Sequence, residues 1–257
     1  MNVKHKLLTS VLAKPSKDIE AWLQKQKLGD DTDWITGHQT VYCISPYKTG
    51  TTYLSTSFDN GVSAHEPIQY LSMKELEKDF DAFFLKRLNG LNLKLECTGF
   101  FSAYIDELVS NPIGKDLVYI CILRSPSSWI TSVVNYWQSP FLQAQKYEYL
   151  TELFWKPKVG LDVRNILDSN GRLTDGKAID KLVKFYFDFT ANTKKLKNMH
   201  YVDVKQLDEF IPQVASLINE IPDTRKRWQR KAREKNFVFM DENIDLEYEK
   251  LIKNIDK

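Results

Sequence analysis

Lys48, Gly50, Thr51 and Thr52 are the densest group of phosphate-binding residue types in this 257-residue chain. They follow an apolar run, Val41 to Ile44, and a turn at Ser45 and Pro46. The run suits a buried strand and Pro46 ends it. Gly50 supplies backbone freedom, and Thr51 and Thr52 open a helix whose unpaired N–H groups point at an anion. Against the P-loop spacing G-x-x-x-x-G-K-S/T, Ser45 stands for the first glycine, Thr51 for the lysine, and a lysine comes earlier, at Lys48. A lysine inside the loop reaches the bridging oxygen of a phosphoanhydride, whereas the usual one straddles the terminal phosphates. The expected chemistry is transfer of a group attached to a phosphate.

A second constellation has the same layout. The apolar run Leu117 to Leu123 ends in Arg124, a Ser/Pro turn follows, and Ser132 comes eight residues after the arginine on the next helix. An arginine at the carboxyl edge of a strand and a serine early in the following helix can converge on one phosphate. Taken alone, Arg124 reads equally as a surface arginine and Ser132 as a helix serine.

Taken together, Pro46-Tyr47-Lys48-Thr49-Gly50-Thr51-Thr52 resembles the 5′-phosphosulfate loop of sulfotransferases that use 3′-phosphoadenosine-5′-phosphosulfate (PAPS). Arg124, Pro126 and Ser132 resemble the 3′-phosphate motif of that family. The resemblance implies a P-loop-NTPase-like sulfotransferase fold. PAPS would be the co-substrate, adenosine 3′,5′-bisphosphate the product, and no metal would be required. Lys48 would act on the bridging oxygen. Backbone N–H groups of Thr49, Gly50, Thr51 and Thr52, with the hydroxyls of Thr51 and Thr52, would hold the 5′-phosphate, and Arg124 with Ser132 the 3′-phosphate. Tyr53 falls where the family often stacks a ring on adenine, and reads equally as a core tyrosine.

His65-Glu66-Pro67 matches a Glu-Pro found in the branch that includes the heparan sulfate 3-O-sulfotransferases and N-sulfotransferases, which makes Glu66 the expected catalytic base. His65 competes, with its convenient ordinary pKa and the precedent of His-dependent cytosolic sulfotransferases. Leu91 to Tyr104 resembles a strand ending E-K-S/T-P in that branch: Glu96 and Thr98 match, whereas Cys97 and Gly99 depart from Lys and Pro. Lys94 or another basic residue would replace the missing lysine, and Glu96 is a further group that could reach an acceptor. The implied reaction moves a sulfuryl group in line to a hydroxyl or amine of a small-molecule or glycan acceptor. The alternatives are a P-loop nucleotide kinase and a non-catalytic nucleotide-binding module.

These residues need a scaffold, and the hydrophobic pattern supplies one. Strands are expected at Gln39 to Ile44, Val62 to His65, Leu91 to Cys97, Leu117 to Leu123 and His200 to Val204. Helices are expected from Ser16 to Leu28 (capped by Ser16 and closed by Gly29), from Thr51, and over Ser72 to Leu88, Ala103 to Ser110, Ser127 to Trp137, Asp175 to Lys197 and Leu207 to Glu220. The alternation predicts an α/β single domain over 1–257, a central parallel sheet flanked by helices, with ligands beyond the carboxyl ends of the strands. Residues 1–36 read as an N-terminal helical extension. Residues 139–174, rich in aromatic and polar types, read as a lid or substrate wall, or equally as helices packed on the core. Residues 221–257 form a basic C-terminal segment in which Arg225 to Lys235 carries seven basic residues against one acidic. That run is either a solvated face or a source of residues that close over the 3′-phosphate.

Composition, 42% hydrophobic and 27% charged, suits one good core. A net charge of +2 is too small to imply nucleic acid or a membrane surface as partner by bulk electrostatics. Cys43, Cys97 and Cys121 read as small buried hydrophobes in a reducing compartment. The first residues make a poor signal peptide and no stretch has the length of a membrane span, so the expected location is cytoplasmic. Oligomeric state has no signal in the sequence.

Overall fold

A computed structural model describes residues 17–29, 39–138, 146–223 and 236–255. The strands are β1 (Val41–Cys43), β2 (Ser63–His65), β3 (Leu95–Cys97), β4 (Val118–Leu123) and β5 (Asn198–Asp203), all parallel in one sheet of order β2-β3-β1-β4-β5. Parallel strands are covered on both faces, which is why these segments read as continuous apolar runs. Alternate side chains enter opposite clusters. Tyr42, Ile44, Tyr119 and Cys121 face the larger one, while Cys43, Cys97, Ile120 and Ile122 face the smaller.

The larger cluster is built with α1 (Lys17–Lys27), α3 (Gln69–Leu76), α4 (Phe80–Leu91), α6 (Pro126–Trp137) and α8 (Ala178–Thr193). The smaller is covered by α2 (Thr51–Ser55) and α9 (Leu207–Ile218). Between them in the chain, α5 spans Ile105–Ser110 and α7 Lys146–Leu150. The α/β architecture with a parallel sheet flanked by helices is therefore as the sequence predicts.

Strand order positions the site. From β1 the chain moves toward β2 on one side of the sheet, and from β4 toward β5 on the other. The connections leaving adjacent β1 and β4 thus diverge and open a crevice at their carboxyl ends, where ligands of open α/β sheets bind.

Several elements differ from expectation. The helix expected over Ser72 to Leu88 is two helices, α3 and α4, because the Asp79 carboxylate caps a new start by accepting from Ala82 N at 3.1 Å. The second helix then runs through Leu91 and ends at Asn92 in the left-handed region (φ 46°), so β3 begins at Leu95 and not at Leu91. Within 139–174, α7 continues into a π-helix, Thr151–Val159, whose Phe154 and Trp155 are buried in the larger core with Leu161, Val163 and Ile166. That segment packs on the core. A C-terminal helix that was not among those expected, α10 (Glu242–Lys253), is capped by Asp241 and stacks Tyr248 on Tyr186 at 5.1 Å. The three cysteines are buried and free. Among the described residues no helix is long and apolar enough to cross a membrane. Ser16, Phe141 and the basic run Arg225 to Lys235 lie outside the described residues.

Candidate functional site

The loop after β1 carries two residues in the left-handed region, Lys48 (φ 72°) and Gly50 (φ 121°). The φ of Gly50 strains any other residue, and a Cβ there would lie 3.3 Å from Leu207 and 3.4 Å from Val204, so those side chains would have to give way. The loop's carbonyls are tied down. Thr49 Oγ1 donates to Pro46 O at 2.8 Å, Trp129 Nε1 to Tyr47 O at 2.8 Å, and Arg124 Nη1 to Lys48 O at 2.8 Å. With the carbonyls occupied on the protein side, the loop turns into α2, whose first N–H groups have no partner within the helix. Lys48 Nζ stands 4.6 Å from the centroid of the Tyr136 ring.

Arg124, at the carboxyl end of β4, therefore meets the Lys48 loop across the crevice between β1 and β4. Its Nε donates to Ser128 Oγ at 2.9 Å, and its backbone N–H and C=O both bond the Tyr186 hydroxyl. Ser128 was not singled out by the sequence; half-buried Ser132 lies one helical turn further on the same face of α6. Burial pulls the guanidinium pKa below its ordinary value, a desolvation that an anion in the crevice would offset. The Tyr53 ring packs on the smaller core and its hydroxyl donates to Asp208.

The carboxyl ends of β2 and β3 carry the second half. His65 Nε2 is 3.1 Å from both Thr51 Oγ1 and Thr52 Oγ1, so the imidazole lies beside the start of α2. The same nitrogen is 3.9 Å from Glu66 Oε1. Glu66 takes a left-handed backbone (φ 51°) directly before Pro67, a conformation that proline disfavours in the preceding residue. Its Oε1 accepts from Gly99 N at 2.8 Å and its Oε2 from Gln69 Nε2 at 2.9 Å. A proline at Gly99 would lack that N–H, and even a Cβ would lie 3.0 Å from Tyr47 and 3.1 Å from Glu66 Oε1, which accounts for the glycine. Burial pushes the Glu66 pKa up to about 8, with the nearby Glu96 adding to it and the bonds from Gly99 and Gln69 opposing it.

Beneath Glu66, Arg87 forms a fully buried ion pair with Glu96, whose other oxygen accepts from the Thr98 hydroxyl. Arg87 also donates to Ser72 Oγ at 2.9 Å and to Pro67 O at 3.2 Å, which braces the turn after Glu66. Glu96 is thus a structural partner held by α4, not a group presented to an acceptor. Lys94 is likewise misplaced by the sequence reading. It precedes β3 at the opposite edge of the sheet and pairs with Glu220. Among the described residues no group of three or more His, Cys, Asp or Glu could hold a metal ion.

The arrangement joins an anion-compatible loop, a lysine, a guanidinium and a desolvated carboxyl group along one sheet edge. Comparison of the chain with protein-family models, curated proteins and solved structures finds no match.

Proposed function

We propose that the protein is a PAPS-dependent sulfotransferase with a P-loop-NTPase-like sulfotransferase fold. The observation that carries this reading is the bond from Arg124 to the Lys48 carbonyl. It joins the two segments that resemble the family's phosphate motifs at the one crevice where an α/β sheet of this order binds ligands. The 5′-phosphosulfate would lie on the N–H groups of Thr49, Gly50, Thr51 and Thr52, and the 3′-phosphate between Arg124 and Ser132.

In the reaction the acceptor oxygen or nitrogen forms a bond to sulfur while the bond from sulfur to the phosphate oxygen breaks. Lys48 stabilises charge on that leaving oxygen, and adenosine 3′,5′-bisphosphate departs. The acceptor's proton goes to Glu66. His65 serves the phosphate half, since its Nε2 is engaged with Thr51 and Thr52, whereas the Glu66 carboxyl oxygens bond Gly99 and Gln69. A desolvated carboxyl group whose pKa burial raises to about 8 supports a catalytic role over a module that only binds nucleotide.

Calorimetry with PAPS, adenosine 3′,5′-bisphosphate and ATP, each with and without magnesium, tests the reading. The expected result is metal-independent binding of the first two and weaker binding of ATP, which lacks a 3′-phosphate. Equal affinity for ATP or a strict need for magnesium would turn the assignment toward a nucleotide kinase.

A further inference from the structure

Glu66 is held by an amide that is itself held by two tyrosines. Gln69 Nε2 donates to Glu66 Oε2 at 2.9 Å and to the Tyr47 hydroxyl at 2.6 Å, while Gln69 Oε1 accepts from the Tyr149 hydroxyl at 3.0 Å. Both N–H bonds and the carbonyl are engaged. When Glu66 is ionised, exchanging O and N would aim the amide carbonyl at a carboxylate oxygen, two acceptors face to face, so the ionised network has one orientation. Three separate segments meet here: Gln69 from α3, Tyr47 from the loop after β1, and Tyr149 from α7. The Tyr47 ring rests edge-on against Phe154 at 5.0 Å, and the Tyr149 ring against Tyr70 at 5.3 Å, so both tyrosines are anchored by their own packing.

We propose that Gln69 is a positioning residue that fixes the orientation of the Glu66 carboxylate and couples it, through Tyr149, to the helical segment 146–159. The base is then oriented by a single amide, and displacement of that segment removes the Tyr149 bond that holds the amide's carbonyl. The assignment of Glu66 as base rests on the proposed sulfotransferase function; the coupling itself rests on the three hydrogen bonds.

The groups facing Glu66 are His65 beside it, Tyr47 from the β1 loop, Tyr149 from α7, Arg87 from α4 and Glu96 from β3. Among them the bond from Gln69 favours the ionised carboxylate, as does the one from Gly99. Removing the amide leaves burial less opposed, and the carboxyl group then holds its proton to higher pH.

The test titrates Glu66 in the full chain by carboxyl-carbon NMR without any cofactor, and separately records the pH dependence of single-turnover transfer from PAPS. Gln69→Met keeps the length of the side chain and removes the amide; Tyr149→Phe removes one bond and little volume. Gln69→Met should raise the Glu66 midpoint by about one unit, and lower transfer at pH 7 by about tenfold with recovery at higher pH. Tyr149→Phe should shift both in the same direction by less, and it carries the test by itself if Gln69→Met does not fold. Binding of adenosine 3′,5′-bisphosphate should stay within about twofold, because Gln69 bonds only the side-chain hydroxyl of Tyr47 in the phosphate loop, whose backbone carbonyl stays held by Trp129. An unmoved carboxyl titration in the folded variants overturns the proposal, whatever happens to the rate. A shifted titration in a chain that transfers no sulfuryl group upholds the positioning role and removes the sulfotransferase reading instead.

Discussion

The two halves of the sheet's carboxyl edge are held by different kinds of bond. Around Lys48 the chain is clipped through its backbone, with Arg124, Trp129 and Thr49 each donating to a main-chain carbonyl. Around Glu66 the bonds run chiefly between side chains, from Gln69 to Glu66 and Tyr47 and from Tyr149 to Gln69. A backbone-clipped loop keeps its shape through most changes of its own side chains. A side-chain network loses a partner with each change, and a buried group left without one is expensive. The phosphate half should therefore separate binding from rate cleanly under mutation, whereas the base half should show its coupling in pH dependence.

The largest effect is expected at Glu66. Glu66→Gln should lower single-turnover transfer with saturating PAPS by about a hundredfold to ten-thousandfold, while His65→Asn is milder because His65 addresses Thr51 and Thr52. An inactive His65→Asn beside a near-normal Glu66→Gln would reverse the roles. Transfer by the unaltered chain should rise with pH, pass half its maximum near pH 8 and level off above that, as the carboxyl group ionises. Stability should respond in the opposite direction. The folded pKa of about 8 lies above the ordinary 4.5, so the native state holds a proton that the unfolded chain releases between those values. The contribution of Glu66 to stability is thus fully present below about pH 4.5 and is lost as pH rises toward 8. Melting temperatures of Glu66→Gln and the unaltered chain, measured at both ends of that window, should diverge in favour of glutamine at the upper end.

Lys48→Ala probes the other half. Its expected effect is a loss of about a hundredfold to a thousandfold in turnover with a much smaller change in PAPS affinity, because the ammonium acts chiefly on charge that develops as the leaving oxygen departs. Rapid-quench kinetics at saturating PAPS check this. Normal turnover at saturation would make Lys48 a binding residue only.

The same contrast explains what was legible in the sequence. The loop Lys48 to Thr52 is contiguous, and its strand is an apolar run because both sheet faces are covered, so its place after a buried strand and the parallel architecture could be read directly. Arg124 was legible for the same reason, as the residue that ends the run Val118–Leu123. The base half is assembled from residues 47, 66, 69, 99 and 149, and no local pattern links Gln69 to a tyrosine eighty positions away. Glu96 required a buried partner on general grounds, but nothing local named Arg87. Asp79 lay inside an otherwise helical apolar pattern, and only its capping bond to Ala82 shows that one helix ends there and another begins. The helix Glu242–Lys253 was open to reading, since Ile244, Tyr248, Leu251 and Ile252 fall on one helical face, but the whole segment was read for its basic charge.

The smallest of the three effects belongs to Arg124, the residue that joins a charge to a backbone clip. Arg124→Ala should weaken binding of adenosine 3′,5′-bisphosphate by about 1.5 to 3 kcal/mol, roughly tenfold to 150-fold, measured by calorimetry. Arg124→Lys then divides the two contributions. A single ammonium supplies charge to the 3′-phosphate but cannot also reproduce the guanidinium's fork to Lys48 O and Ser128 Oγ. The lysine variant should therefore recover part of the affinity yet remain slow, because Lys48 is held at a left-handed φ that loses one of its supports. Full recovery of both would mean that Arg124 acts by charge alone and that Trp129 and Thr49 suffice to hold the loop. Unchanged affinity in Arg124→Ala would move the 3′-phosphate away from the crevice between β1 and β4, and leave the arginine as a structural clip.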